Sequence, residues 1–351
     1  MAIVAGRGVS TGRAQADVTS GRNNADVSQR EDLANFITMI TREETPFISS
    51  IGKAKATAIY HEWQTDELAA PGNSRLAEGT DFDSGSVTVG PHRTRLGNYT
   101  QINGKQLAVS GTRRAVDQAG VADEYAYQLK KRGTELRRDV EFDAVHSYNV
   151  ASASGTRSMG GYQSFINDAS TVNYIGDFEA PATTNAGTAT VTGVSAADNT
   201  RGALALSDID AVMQKIYEEG GKATRVMLSP KLRRDFSDLI QAESNVRRNV
   251  DESGKLRQSV DVYMSDFGDL MVVPNYIMGL ANNVDFGNGN VDVADFGALI
   301  YDPMWFNIAT LRPLTEVDVG QKGDSTVGMM VEETTLEVRN PKGCGAIYGL
   351  V

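Results

Sequence analysis

The 351-residue chain holds one cysteine, Cys344, and three histidines, His61, His92 and His146. A single thiol makes no intrachain disulfide, and three scattered imidazoles offer little to a metal or an acid–base pair. No apolar run approaches the ~20 residues that a membrane-spanning helix requires. Residues 1–11 lack the basic and apolar segments of a secretory signal. These absences point to a soluble protein that folds in a cytoplasm. Bases are missing too over one long stretch, since neither Lys nor Arg occurs between Arg257 and Arg312.

The charge that is present is uneven. Against 34 Lys and Arg stand 45 Asp and Glu, a formal net charge of -11. Residues 1–30 carry +2, residues 31–111 carry -3 and residues 112–150 balance, whereas 176–351 hold fifteen bases against twenty-five acids. An acidic face repels nucleic acid and favours solubility at high concentration. DNA, if it lies nearby, is expected to meet the first half. At this length a compact chain buries roughly three quarters of its unfolded surface, enough for one large domain or two ordinary ones.

Residues 5–30 are mostly Gly, Ser, Thr, Asn, Asp and Arg with isolated valines, a composition that cannot bury enough to fold alone. This predicts an arm ordered only by partners. From Asp32 the apolar residues Leu33, Phe36, Ile37 and Ile40 share a helical face that ends near Pro46, and Phe47, Ile48 and Ile51 follow. The β-branched and aromatic residues of 56–66 predict a strand, stopped by Ala69-Ala70-Pro71-Gly72. Residues 72–98 are polar and read as a long hairpin or extended loop, and 99–110 as a further strand.

Residues 121–147 predict one long helix with Val121, Tyr125, Leu129, Leu136 and Val140 on one side. At 1.5 Å per residue it reaches ~40 Å. The i,i+4 pairs Lys131–Glu135 and Arg137–Glu141 read as a solvated or subunit-facing surface. Residues 176–199 are rich in Thr, Ala and Gly and suggest a surface excursion. Ser207 is the expected N-cap of a helix ended by Gly220-Gly221, with a strand at 224–228 and a second helix opened by Ser229-Pro230. Strands are expected at 258–264, 270–273 and 297–301, and a long one at 326–339.

No catalytic set emerges. Gly8-Val9-Ser10-Thr11-Gly12 matches a nucleophile-elbow expression without the strand and helix that the elbow needs. His61-Glu62 begins like a zincin motif, but the fifth position is Thr65. Asp285, Asn288, Asn290, Asp292 and Asp295 fail the calcium-loop spacing and read as a tight turn. Asn98-Tyr99-Thr100 is a glycosylation triplet with no secretory route. A polar arm, a protruding loop, a long charged helix, an α/β unit and a return strand together describe an assembly subunit.

The sequence resembles the major capsid proteins of tailed double-stranded DNA bacteriophages with the HK97-like fold. The likeness rests on Ile40-Thr-Arg-Glu-Glu-Thr-Pro46-Phe-Ile-Ser-Ser-Ile51-Gly-Lys53, on His61-Glu-Trp63-Gln-Thr-Asp66-Glu-Leu-Ala-Ala-Pro71, and on Ala298-Leu-Ile-Tyr-Asp-Pro303, Leu311-Arg-Pro313 and Glu332-Glu-Thr-Thr-Leu-Glu-Val-Arg-Asn340. It implies an α+β chain. An N-terminal arm spans 1–55, a peripheral-domain strand 56–71, the extended β-hairpin loop 72–98, and a peripheral domain 99–175 with a spine helix at 121–147. An insertion or surface excursion at 176–206, an α/β axial domain at 207–320 and a return strand at 321–351 complete the order. The peripheral sheet would take strands near 57–66, 99–110 and 328–339.

The function so implied is a non-enzymatic subunit, without cofactor or metal, forming hexamers and pentamers of an icosahedral virion shell around double-stranded DNA. The implied partners are further copies of the chain, a portal protein, and separate scaffolding and decoration proteins; no membrane is involved, and assembly takes place in the host cytoplasm. Phe36, Phe47, Arg75, Asp81, Asp83, Arg93, Arg95, Arg137 and Arg138 are the expected subunit contacts. Arg7, Arg13, Arg22 and Arg30 are candidates for non-specific DNA contact. Residues 56–104 contain no lysine, so isopeptide cross-linking from the loop is expected to be absent. A tail or fibre component, also β-rich and without a catalytic set, is the alternative.

Overall fold

The computed structural model describes residues 40–66, 68, 71–73, 75, 78–79, 93–116, 120–146, 156–165, 172–174, 203–243, 261–279 and 296–348. The arm with most of the helix expected from Asp32, the loop tip, the 176–199 stretch and the Asp285–Asp295 turn lie outside them.

Pro46 pre-sets the backbone for a short helix, α1 (Pro46–Ser50), which leads directly into strand β1 (Gly52–Lys55). Next come β2 (Tyr60–Thr65), β3 (Thr94–Tyr99) and β4 (Gln101–Ser110). The single run expected over 99–110 thus divides at Thr100, and its first part belongs elsewhere. β2 pairs antiparallel with β3 as a separate two-stranded ribbon, Tyr60 opposite Tyr99 and Thr65 opposite Thr94. The strand expected over 56–66 therefore enters the stem of the extended hairpin rather than the sheet containing β4. The edge it was expected to fill is taken by β1.

A one-turn helix, α2 (Gly111–Ala115), precedes the long helix α3 (Glu124–His146) of 23 residues. Asp123 starts α3 by accepting the Tyr125 N–H at 2.9 Å. Leu136, Val140, Ala144 and Val145 are buried, the amphipathic stripe that the periodicity predicts. After it stand α4 (Tyr162–Phe165) and β5 (Val172–Tyr174).

The α/β unit follows in the expected order. It comprises α5 (Leu206–Glu218), β6 (Arg225–Leu228), α6 (Pro230–Glu243), β7 (Val262–Ser265), β8 (Gly268–Pro274) and β9 (Phe296–Tyr301). Ser207 lies inside α5 rather than capping it. Asp208 instead turns back to accept the Ala205 N–H at 3.1 Å, so an acid in the first turn satisfies the orphan donor. Gly220, at φ +81°, ends this helix in a conformation that only glycine adopts freely. Ser229 accepts the Leu232 N–H at 3.4 Å, as its N-cap reading predicts.

The chain closes with β10 (Phe306–Lys322), β11 (Ser325–Val338) and β12 (Gly345–Tyr348). Two sheets result. One has the order β1-β10-β11-β4, and the other β5-β12-β9-β6-β8-β7. β10 was counted with residues 207–320, but its ladder with β11 places it in the four-stranded sheet.

The pleat of the six-stranded sheet serves two cores. Val226, Leu228, Ala298 and Ile300 face α5 and α6, while Met227, Leu299 and Tyr301 face the C-terminal half of α3. In the second core Phe47, Tyr162, Tyr301 and Phe306 stack edge-on or offset at centroid distances of 5.4–6.1 Å. The Tyr162 hydroxyl lies 2.9 Å from the Ile300 carbonyl and 3.0 Å from that of Gly345. Burial pushes the Tyr301 phenol up to about 12.

Candidate functional site

The feature that projects from this body is the β2–β3 ribbon. Its stem is held by Trp63, whose indole donates to the Val338 carbonyl at 2.8 Å, and by Tyr60 against Tyr99 at 4.7 Å between ring centroids. At its base, four residues fasten the ribbon to the segment after α3. Asn98 and Gly160 exchange a reciprocal pair of hydrogen bonds at 2.9 Å, and Asn98 also donates to the Leu336 carbonyl at 2.8 Å. The Met159 N–H donates to the Gln101 carbonyl oxygen at 3.0 Å. Arg157 donates from Nε to the Thr100 carbonyl at 3.1 Å and from its terminal nitrogen to Glu333 at 2.6 Å.

Glu333 completes this anchor. Its carboxylate also accepts from the Thr100 hydroxyl at 2.7 Å and from Arg312 Nε at 2.8 Å. Burial alone would raise its pKa, but Thr100 and the two guanidiniums outweigh it and hold the group below the ordinary glutamate range. Because Asn98 is fully buried and bonded on both amide atoms, the glycosylation triplet is structural.

A second buried carboxylate ties α1 to α3. Glu141 accepts the N–H groups of Phe47 at 2.8 Å and Ile48 at 2.7 Å, together with the Asn275 amide at 2.9 Å. Burial dominates and raises its pKa despite these donors. The i,i+4 reading with Arg137 placed Glu141 in solvent, yet it lies on the buried stripe between Val140, Ala144 and Val145. Lys131–Glu135 likewise does not form as expected, since Glu135 pairs with Arg132 at 2.6 Å and Lys105 at 3.9 Å.

Of the expected subunit contacts, Phe47 is fully buried at the centre of the aromatic cluster and has no surface to offer a neighbour. An aromatic residue directly after a helix-starting proline packs inward once Glu141 fixes that turn. Arg93 and Arg95 are exposed on the ribbon and meet Asp66 at 3.4 Å and Glu62 at 3.7 Å, both on the opposite flank of the same stem. Arg75 and Arg137 are exposed and Arg138 is half-buried. Phe36, Asp81, Asp83, Arg7, Arg13, Arg22 and Arg30 lie outside the described residues.

The enzyme motifs also resolve. His61 is in a β-strand, 3.3 Å from Glu337, and not on the helix that a zincin requires. His146 stacks on Phe142, and burial lowers its pKa to about 4. Among the described residues no three of His, Cys, Asp and Glu converge to hold a metal, and no helix is long and apolar enough to cross a membrane. Asn98, Arg157, Glu333 and Glu141 were not singled out from sequence. Their one visible signal is a polar residue at a position whose phase is apolar.

The comparisons with known proteins agree with this geometry. The SU10 major capsid protein family matches residues 14–351. The major capsid protein of Escherichia phage Phieco32 is 26% identical over 254 residues, 64% of this chain and 70% of that protein. Among solved structures, Mycobacterium phage Cain superposes with a TM-score of 0.58 at 12% identity, over 92% of this chain and 96% of that one. The capsid of cyanophage P-SCSP1u gives 0.55 at 12% identity, over 91% and 92%. These likenesses establish the HK97-like fold. Arm, hairpin stem, long helix and two sheets thus belong to a structural, non-enzymatic virion protein, and the chain is a member of the SU10 major capsid protein family.

Proposed function

We propose that this major capsid protein forms hexamers and pentamers of an icosahedral shell that encloses double-stranded DNA. The observation that carries the reading is the β2–β3 ribbon, a two-stranded projection with no core of its own, set on a fully bonded buried base. An isolated two-stranded ribbon is marginal in water, so one this firmly anchored is built to rest on something else. Residues 72–98 supply that contact by lying over a neighbouring copy, with Arg75, Arg93 and Arg95 facing it. The acidic 207–320 segment meets its equivalents around the symmetry axes. Apolar burial supplies most of the association energy, while charges select neighbours and register.

DNA contact is non-specific and salt-sensitive, through the arm's Arg7, Arg13, Arg22 and Arg30. A portal protein and separate scaffolding and decoration proteins complete the particle, which assembles in the host cytoplasm. The test is electron microscopy of the full-length protein after size-exclusion chromatography, with and without a scaffolding protein. Closed shells or capsomer rings are expected. A stable monomer or fibre under every condition would overturn the reading and revive the tail or fibre alternative.

A further inference from the structure

The four-stranded sheet carries its charges on the wrong side for a protein that works alone. The odd residues of β4 face α3, where Lys105 meets Asp139 at 2.6 Å and Leu107 and Val109 are buried. The register places Gly328 and Met330 of β11 and Glu316 and Asp318 of β10 on that same covered side, and Tyr125 of α3 donates to Glu316 at 2.7 Å. Glu332 joins them, and burial raises its pKa.

The opposite side is open. There Ile102, Gly104, Gln106 and Ala108 of β4 adjoin Val331, Met329 and Val327 of β11, and Thr315 and Val317 of β10 lie beyond them. Ile102 is 50% exposed and Val317 43%. From the Arg312–Glu333 pair at one end to Lys322 at the other, this face has no charged side chain. A one-sided sheet in a monomer shows the reverse, apolar residues inward and charges in water.

We propose that this face is a contact surface covered by a second copy of the chain in the assembled particle, an inference that rests on the shell-subunit reading. DNA finds no base on it to hold its phosphates. Nine residues at 3.4 Å and three strands at 4.8 Å give a footprint of about 30 by 14 Å, or ~400 Å². That is about half of one partner's share of a standard interface. Such a patch is weak for an isolated pair but fits a subunit that engages several neighbours at once.

The occupant packs on the face instead of extending the ladder. β1 pairs only with Asn307–Thr310, leaving the rest of β10 as an edge, and that edge is broken by register shifts at Thr310/Arg312, Arg312/Thr315 and Asp318/Gly320, with Pro313 among them. Bulges and proline are what disfavour strand addition.

The experiment uses particles assembled from the full-length protein with no other phage protein present. Cys344, the sole native thiol, is fully buried, so Val317→Cys supplies one reporter. Maleimide should label Cys at this position at least about tenfold more slowly in particles than in dissociated subunits. Val317→Lys should keep the wild-type melting temperature and lower particle yield by about tenfold, while Val317→Thr assembles normally. Equal labelling in the two states, or Val317→Lys particles at wild-type yield, would overturn the proposal alone. Failure of the wild type to form any particle would overturn it together with the shell reading.

Discussion

The Glu141 carboxylate accepts the main-chain N–H of Phe47 at 2.8 Å, joining two residues 94 positions apart in the chain. Through this bond the long helix sets the exit path of the arm, because the same carboxylate holds Ile48 N–H and the Asn275 amide. Glu141→Ala would leave three buried donors without an acceptor, each worth roughly 1–3 kcal/mol. Loss of about 3 kcal/mol or more is expected in urea denaturation. A change below about 1 kcal/mol would show that the carboxylate is not what holds α1.

Asn98 offers a sharper comparison, since its amide nitrogen faces the carbonyls of Gly160 and Leu336. Asn98→Ala should cost about 3 kcal/mol through the lost hydrogen bonds. Asn98→Asp should cost more, because it turns a buried carboxylate toward two carbonyl oxygens. If unfolding experiments rank Asp above Ala in stability, the anchor described at the ribbon base is wrong.

Asp143 and His146, one turn apart near the end of α3, respond to pH with opposite sign. Burial, helped by Asp139, pushes the Asp143 carboxyl up to about 6 against the downward pull of the Gln101 amide. Unfolded, such a group titrates near ~3.9, so between about pH 4 and 6 only the folded state keeps its proton. Its stabilisation is full in acid and is lost as pH rises, by ~1.4 kcal/mol per unit at most. His146, lowered to about 4, contributes stability that is full above its unfolded value of ~6.5 and is lost as pH falls. Asp143→Asn removes the first slope only. The variant should therefore lose more stability than the wild type on acidification from about pH 6 to 4, by ~1 kcal/mol or more per unit. Parallel stability–pH curves would contradict this.

The ribbon arginines separate folding from assembly. Arg93 and Arg95 make exposed pairs with Asp66 and Glu62, of a kind worth ~0–1 kcal/mol. Arg93→Glu with Arg95→Glu should leave the melting curve nearly unchanged and reduce particle formation. Assembly at wild-type yield and stability would remove the ribbon from the subunit contact.

No lysine occurs in residues 56–104. Particles boiled in detergent should therefore run at the monomer position on a gel, without a ladder of linked rings. A ladder would require a cross-link from another part of the chain.

Local pattern alone carried much of the fold. The α3 stripe, the Ser229-Pro230 start of α6, the Gly220 stop of α5 and the alternation of β11 all stand close to where periodicity and capping put them. These are short-range effects, set by sterics and hydrogen bonds within a few residues, so they are written in neighbouring letters. The run of acids after residue 176 and the missing bases of 258–311 were equally visible, as was the lack of a catalytic set.

Strand partnership was not legible in that way. Nothing local tells β2 to pair with β3 instead of β4, or β1 to fill the edge beside β10, because either choice satisfies the same alternation. Nor does sequence show that Glu141 is buried while a like-charged neighbour, Asp139, reaches a lysine at 2.6 Å. Both are charged residues on one helix, and what separates them is whether a distant backbone supplies donors. Composition and short-range pattern determined that this chain is a polar-armed α+β assembly subunit. The tertiary structure decided which carboxylates became buried anchors and which sheet face was left apolar and open, since those outcomes depend on contacts between residues tens to hundreds of positions apart.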